Sequence, residues 1–327
     1  MNAKRIRWAI MCGLLALGGH AVARAQGLGD IRGTDHVAVL VRPENFDAAG
    51  NVFTQRLGFA ATPALLSPLG AKNRLIWFRD RSYLEIATFT ERNEFTAQFL
   101  DFLEDHEGAK FYGTAVADAG QTIDFLTGAG YPNVGPIPAP PLTIESTGEM
   151  VGLTPLWNSI ILTARVAPDN SNFLLQYDDA QVRKMFADFP VLAPRPHPNT
   201  AQKIETLWLV VADLDAAIEF YEGLGLEVRS RHKRIGYLGA RSARVIYHNN
   251  STVTLLQPEG PGVAASFAAG RGEGILGVSL KAGNLETARA LVNRKNGLNL
   301  QTFTYKGRDR FLIPASLAHG FLIEMVE

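Results

Sequence analysis

Three side chains offer this sequence its most usable chemistry. His36 heads the alternating run Asp35-His36-Val37-Ala38-Val39-Leu40-Val41, Glu85 sits inside the apolar run Tyr83-Leu84-Glu85-Ile86, and Gln176 ends Phe173-Leu174-Leu175-Gln176. A carboxylate is costly to bury unless it is paired or bound to a metal. Glu85 is therefore either functional, turned to the surface, or paired with Arg79 or Arg81. Strand alternation sets His36, Ala38 and Leu40 on one face of their strand and Tyr83, Glu85 and Ala87 on one face of another. If both faces line one cavity, imidazole and carboxylate converge. Such a mixed nitrogen and oxygen set suits a first-row divalent ion, Zn, Fe, Mn or Ni, with positions left for two oxygens of a substrate. The metal then acts as a Lewis acid while a carboxylate such as Glu85 moves a proton. The bland reading of His36 is a satisfied histidine at a strand start. Gln176 has an amide oxygen that serves equally as a weak ligand, a substrate contact or a partner for backbone.

Other chemistries find no support. There is no His-Glu-x-x-His zinc signature and no Gly-x-Ser-x-Gly nucleophile elbow. Gly270-Arg271-Gly272-Glu273-Gly274 lacks the strand-to-helix context of a phosphate loop and reads as a flexible turn. His106 belongs to a solvated helix end, His197 to a connector and His232 to a basic surface run, and His248 sits at a turn; only His319, near Glu324, is kept as a weak candidate. With 327 residues, 46% hydrophobic and 20% charged, the chain is long enough for two domains with substantial cores. Lys plus Arg and Asp plus Glu balance at 32 each, which gives no electrostatic footprint for nucleic acid.

Lys4, Arg5 and Arg7 precede a mostly apolar run, and Ala23-Arg24-Ala25 follows, the pattern of a signal peptide over residues 1–25 with cleavage before Gln26. A periplasmic or secreted protein with no membrane contact after cleavage is expected. The single cysteine, Cys12, leaves with the signal, so no disulfide braces the mature chain.

The elements that position these residues repeat. A strand from Asp35 is followed by Phe46, Ala49, Phe53 and Leu57 at helical spacing and a stop at Gly58; a strand over residues 204–211 is followed by a helix start at Asp213 and a stop at Gly225. Weaker copies begin near Phe111 and Gly277. His36 to Thr206 spans 170 residues and Phe111 to Gly277 spans 166. Each unit reads as strand, helix, then about three strands. Domains are expected over residues 33–189 and 203–327, with a Pro-rich linker over residues 190–202 and a second Pro-rich stretch, residues 132–141, as a candidate lid.

The opening Asp35-His36-Val37, the strand Ser82-Tyr83-Leu84-Glu85-Ile86, the ending Phe173-Leu174-Leu175-Gln176-Tyr177-Asp178-Asp179 and His197-Pro198-Asn199 before a new module resemble the vicinal oxygen chelate (VOC) superfamily, and within it glyoxalase-like domain proteins. The resemblance covers essentially residues 33–327. It implies an α+β fold of four βαβββ modules paired into two glyoxalase/bleomycin-resistance-like domains. It also implies metal ligands at the start of the first strand and the middle of the last strand of paired modules. In the first domain these fall at His36, Glu85, near Phe111 and at Gln176; in the second, at Thr206, Thr254, Gly277 and Glu324, so that half is expected to be degenerate and extradiol ring cleavage there is disfavoured. The implied function is a divalent-metal-dependent lyase or isomerase acting on a small oxygenated compound, with Tyr83, Trp77, Trp157 and Glu324 as pocket residues and the second domain covering or extending the pocket. The alternative is a non-catalytic small-molecule binding protein of the bleomycin-resistance type. Tandem pairing makes a monomer as acceptable as a homodimer.

Overall fold

The computed structural model describes residues 31–163 and 172–327; the expected signal peptide lies outside the described residues. In chain order the first half comprises β1 (Ile31–Leu40), α1 (Phe46–Asn51), β2 (Leu65–Leu66), β3 (Ala71–Trp77), β4 (Tyr83–Phe89), α2 (Ala97–Asp105), β5 (Gly108–Val116), α3 (Ala119–Gly128), β6 (Asn133–Pro138), β7 (Leu142–Ile144), β8 (Met150–Val151), β9 (Trp157–Leu162), β10 (Asn172–Tyr177) and α4 (Asp179–Asp188). The second half comprises β11 (Ala201–Val210), α5 (Leu214–Gly223), β12 (Glu227–Ile235), β13 (Ala240–Ile246), β14 (Thr252–Pro258), α6 (Val263–Arg271), β15 (Gly274–Ala282), α7 (Leu285–Asn296), β16 (Phe303–Tyr305), β17 (Arg308–Ile313) and β18 (Leu322–Val326).

Short polar residues start the module helices. Asp118, Asp213 and Asn284 each accept from backbone N–H groups of the first turn of α3, α5 and α7. Gly58 and Gly225, at φ of +76° and +78°, turn the chain out of the first and third module helices, a conformation that favours glycine.

The strands form a ten-stranded sheet, β6-β9-β10-β5-β1-β4-β3-β2-β7-β8, and an eight-stranded sheet, β12-β13-β14-β11-β15-β18-β17-β16. Each is two modules joined through an antiparallel central pair, β1 with β5 and β11 with β15. The irregularities coincide: β1 shifts register between Ile31/Gly33, Thr34/His36 and Ala38/Val39, and β11 between Ala201/Lys203, Ile204/Thr206 and Trp208/Leu209, the same places 170 residues on. The architecture is that of paired VOC domains.

One face of each central strand joins a common core. Val37 and Val39 of β1, Leu84 and Ile86 of β4, Leu207 and Leu209 of β11 and Val278 and Leu280 of β15 pack together with Phe46, Leu126, Ile218 and Val292 of the four module helices. The two sheets thus share their helix-bearing faces. The second half lies behind the first sheet, on the side opposite His36, and does not cover the first concave face as expected.

That concave face is enclosed by the first half itself. β6 and β7 lie near opposite ends of the ten-stranded order, yet only residues 139–141 separate them. Four peptide links reach at most about 14 Å, so the sheet curls until its ends nearly meet. The Pro-rich stretch expected as a lid forms edge strand β6, paired with β9 through a shift between Val134 and Ile137. Edge strands are where proline is tolerated. Residues 190–202 also differ from a free linker: Asn199 is fully buried, its side chain donates to the Leu57 carbonyl at 2.9 Å, and His197 Nδ1 accepts from the Ala60 N–H at 2.9 Å.

Candidate functional site

The concave face of the first sheet is apolar at both ends. Ala38, Leu40, Ala87 and Phe89 pack under α2 through Phe99 and Leu103, while Leu65, Leu142, Ile144 and Leu192 pack at the other end with Phe186 of α4 against them. Between the two clusters lies a polar group centred on His36. The shift between Thr34 and His36 breaks the alternation of β1 and places two consecutive side chains together, as bulges commonly do next to sites. Asp35 Oδ2 lies 2.9 Å from His36 Nδ1 and also accepts from the Tyr177 hydroxyl at 3.0 Å. On the neighbouring strand β4, Glu85 Oε2 stands 3.7 Å from His36 Nε2, beyond a direct hydrogen bond. Asn73 donates to the other Glu85 oxygen at 2.8 Å.

Burial is steep around this group. The side chains of Asp35 and His36 are 5% and 3% exposed and that of Glu85 is 13% exposed. Desolvation raises the Glu85 pKa above the usual carboxylate value, opposed by His36 and by the Asn73 hydrogen bond. Burial, reinforced by neighbouring acidic groups, raises the Tyr83 and Tyr177 hydroxyls well above 10.0, so both are neutral donors. The His36 ring stacks on Tyr83 at 4.6 Å, and Tyr83 meets Trp77 at 4.3 Å. Trp157 meets Tyr177 at 6.0 Å. Gly113 leaves the room the imidazole needs, since a Cβ there would come 2.5 Å from its Cε1.

Strand register fixes the four positions where the resemblance implies ligands. Glu85 pairs with Ala38, two residues beyond His36; Phe173 pairs with Gly113, two beyond Phe111; Thr254 pairs with Trp208, two beyond Thr206; and Glu324 pairs with Ser279, two beyond Gly277. The counterpart of Glu85 in the second module is thus Phe173. Gln176 lies on the opposite face of β10, where its amide oxygen accepts from the Ala119 N–H at 3.0 Å and secures the start of α3. Expecting a ligand at Gln176 misplaces the position by three residues, which flips the face. The rings of Phe111 and Phe173 flank His36 at centroid distances of 6.2 and 5.2 Å.

The donor set is therefore His36 and Glu85 alone, with Asp35 behind His36 as its orienting carboxylate. Catalytic zinc sites use three protein ligands, and among the described residues no cluster of three or more His, Cys, Asp or Glu side chains is arranged to hold an ion. The residues present do not complete the divalent-metal site that the resemblance implies.

In the second sheet the Thr206 and Thr254 hydroxyls hydrogen-bond each other at 2.9 Å. Glu324, 1% exposed, is held by Arg310 at 3.1 Å, by the Tyr237 hydroxyl at 2.8 Å and by Ser279. Glu324 is thus neutralised in its own half and no part of the His36 pocket. His319 bonds Glu107 at 2.8 Å rather than joining Glu324. Asp35 and Tyr177 were missed from sequence; the tyrosine lies one residue beyond Gln176, on the face that does reach the pocket.

A curled sheet of paired βαβββ modules around a concave site defines a VOC protein. The profile of the glyoxalase-like domain family matches residues 34–225, more than half of the chain, and the protein belongs to that family. Its structure is similar to a hypothetical protein from Staphylococcus aureus, with a TM-score of 0.55 and 11% identity over 89% of this chain and 97% of that one. It is also similar to a triple mutant of 4-hydroxymandelate synthase from Streptomyces coelicolor, with a TM-score of 0.57 and 12% identity over 90% and 92%. A xylose isomerase-like TIM barrel/4-hydroxyphenylpyruvate dioxygenase fusion protein gives a TM-score of 0.59 and 13% identity over 91% of this chain and 49% of that one. At these identities the likeness establishes the fold alone. No curated protein matches the sequence.

Proposed function

We propose that the protein is an exported enzyme of lyase or isomerase type that moves a proton at a carbon beside a carbonyl in a small oxygenated compound. The observation that carries this reading is the pair His36 Nε2 and Glu85 Oε2, 3.7 Å apart on neighbouring strands, with His36 fixed from behind by Asp35. Glu85, its basicity increased by burial, takes the proton from carbon, and the electron pair moves to the carbonyl oxygen. His36 donates from Nε2 to that oxygen while Asp35 holds the ring from behind at Nδ1, and the aromatic walls keep water out. Returning the proton to the adjacent carbon completes an isomerisation, and loss of a leaving group from the adjacent carbon completes a lyase step. Export is part of the same proposal and rests on the basic, apolar and Ala-Arg-Ala pattern of residues 1–25.

One observation favours the alternative of non-catalytic binding: Phe111 and Phe173 make half of the expected ligand set an apolar wall. Solvent deuterium exchange separates the two. A panel of 2-hydroxy ketones and 2-oxo acids is incubated in D2O and followed by proton NMR. Exchange by the wild type that is lost in Glu85→Gln supports the enzyme; saturable binding in both without exchange supports the binding protein.

A further inference from the structure

We propose that a second binding site, for a small organic anion with a carboxylate or phosphate head, lies in a cleft between the two halves and is anchored by Arg271. The cleft holds about 550 Å³, within the size range of metabolite pockets. Its walls come from the segments flanking α1 and following α2 in the first half, and from the end of α6 and the turn before β18 in the second. It shares no residue with the His36 pocket.

Arg271 is the last residue of α6, inside the glycine-rich segment that as sequence resembles only a turn. Its side chain crosses to the first half and lies between Gly108 and Gly320, where a Cβ at either position would collide with the guanidinium. Both glycines have positive φ, +139° and +80°. Beneath it lies the Phe267 ring at 5.7 Å. Nη1 is buried and has no hydrogen-bond partner among the described residues. The guanidinium pKa is lowered by burial, with no carboxylate offsetting it.

The nearby acid is already committed. Glu107 Oε1 accepts from the Arg42 backbone N–H at 2.9 Å and from Asn45 at 2.6 Å, and Oε2 is 2.8 Å from His319 Nδ1. Arg42 and Arg56 also line the cleft, so the arginines outnumber Asp105 and Glu107 by three to two. A half-buried guanidinium without a counterion is unfavourable, and an oxyanion supplies charge-assisted hydrogen bonds that the protein does not. Val52 and Leu317 offer a short apolar tail a place to lie.

The test is calorimetric titration of the full mature chain with inorganic phosphate and, separately, with hexanoate. Saturable one-to-one binding of at least one probe is expected, weakened by about tenfold or more in Arg271→Gln, as loss of a charge-assisted pair predicts, and unchanged in His36→Ala. Leu317→Asp, which leaves the buried arginine in place and adds a repelling charge, is expected to weaken binding likewise and serves if Arg271→Gln does not fold. Binding of phosphate alone assigns a phosphate ester, and of hexanoate alone a carboxylate. Equal affinity in the variants and the wild type, or no saturable binding of either probe by the wild type up to about 10 mM, a range that covers ordinary metabolite affinities, overturns the proposal.

Discussion

Phe173 occupies in the second module the register position that Glu85 occupies in the first, each paired two residues beyond the start-of-strand position of its module, Phe111 and His36. The first sheet therefore carries one hydrophilic pair on β1 and β4 and one aromatic pair on the adjoining β5 and β10. In the proposed reaction the polar pair moves the proton and the aromatic pair forms an apolar wall beside it.

Restoring the two missing donors should create a metal site. Phe111→His with Phe173→Glu raises the donor count from two to four, above the three protein ligands of catalytic zinc. Elemental analysis after dialysis is expected to find about one equivalent of divalent ion in the double variant and much less in the wild type. A wild type that itself retains a full equivalent, lost on His36→Ala, would sink the metal-free proton transfer.

The pH profile should report Glu85. A base must be deprotonated, and burial raises its pKa above 4.5, so the acid limb of kcat/KM is expected above the ordinary carboxylate range. Asn73 lowers that pKa by donating to the carboxylate. Asn73→Ala should therefore move the limb to higher pH, while Glu85→Gln should remove it and cost about 100-fold to 10,000-fold in rate. An unmoved limb in Asn73→Ala would assign it to another group.

Asp35 should act through His36. Asp35→Asn keeps the shape but removes the charge that orients Nδ1–H, and a loss on the order of 10-fold to 100-fold in kcat is expected, by analogy with carboxylates that orient metal-bound histidines. Tyr177→Phe leaves Asp35 with one hydrogen bond fewer and should cost about 1 kcal/mol of stability in urea denaturation. If Asp35→Asn leaves the pH profile and kcat unchanged, the pair is structural only.

Much of this was legible in the residues. Helix stops at Gly58 and Gly225 and the helix start at Asp213 are local signals, and period-two alternation groups His36 with one strand face and Glu85 with another. Gln176 was misassigned because nothing in Phe173-Leu174-Leu175-Gln176 shows which residue lies beside Gly113; that is set by pairing with β5. Asp35 was invisible as a partner of His36 because consecutive strand residues point apart unless a bulge intervenes. The Pro-rich residues 132–141 looked like a loop because proline removes ladder donors, and an edge strand is where that loss is tolerated.

The Arg310–Glu324 pair should be a buried ion pair whose halves depend on each other. Both side chains are nearly excluded from solvent, at 9% and 1% exposure. Arg310→Met should destabilise by about 3–5 kcal/mol, because it leaves an uncompensated buried carboxylate. Adding Glu324→Met should recover most of that loss. A double variant no more stable than the single one would show that Tyr237 and Ser279, not charge, dominate.

His197 links stability to pH. Its pKa is lowered from 6.5 to about 4, chiefly by burial, so the folded protein holds it neutral while the unfolded chain protonates it at ordinary values. Between the two pKa values the unfolded state binds the extra proton, so its contribution is fully present above pH 6.5 and is lost as pH falls toward 4. At about 1.4 kcal/mol per unit this amounts to roughly 3 kcal/mol. His197→Asn keeps an acceptor for the Ala60 N–H but does not titrate. Urea denaturation of both proteins from pH 7.5 to 4 should show the wild type losing more stability than the variant by about that amount. Parallel curves would mean that His197 protonates in the folded state as readily as in the unfolded chain, and that the buried turn at residues 197–199 opens on acidification.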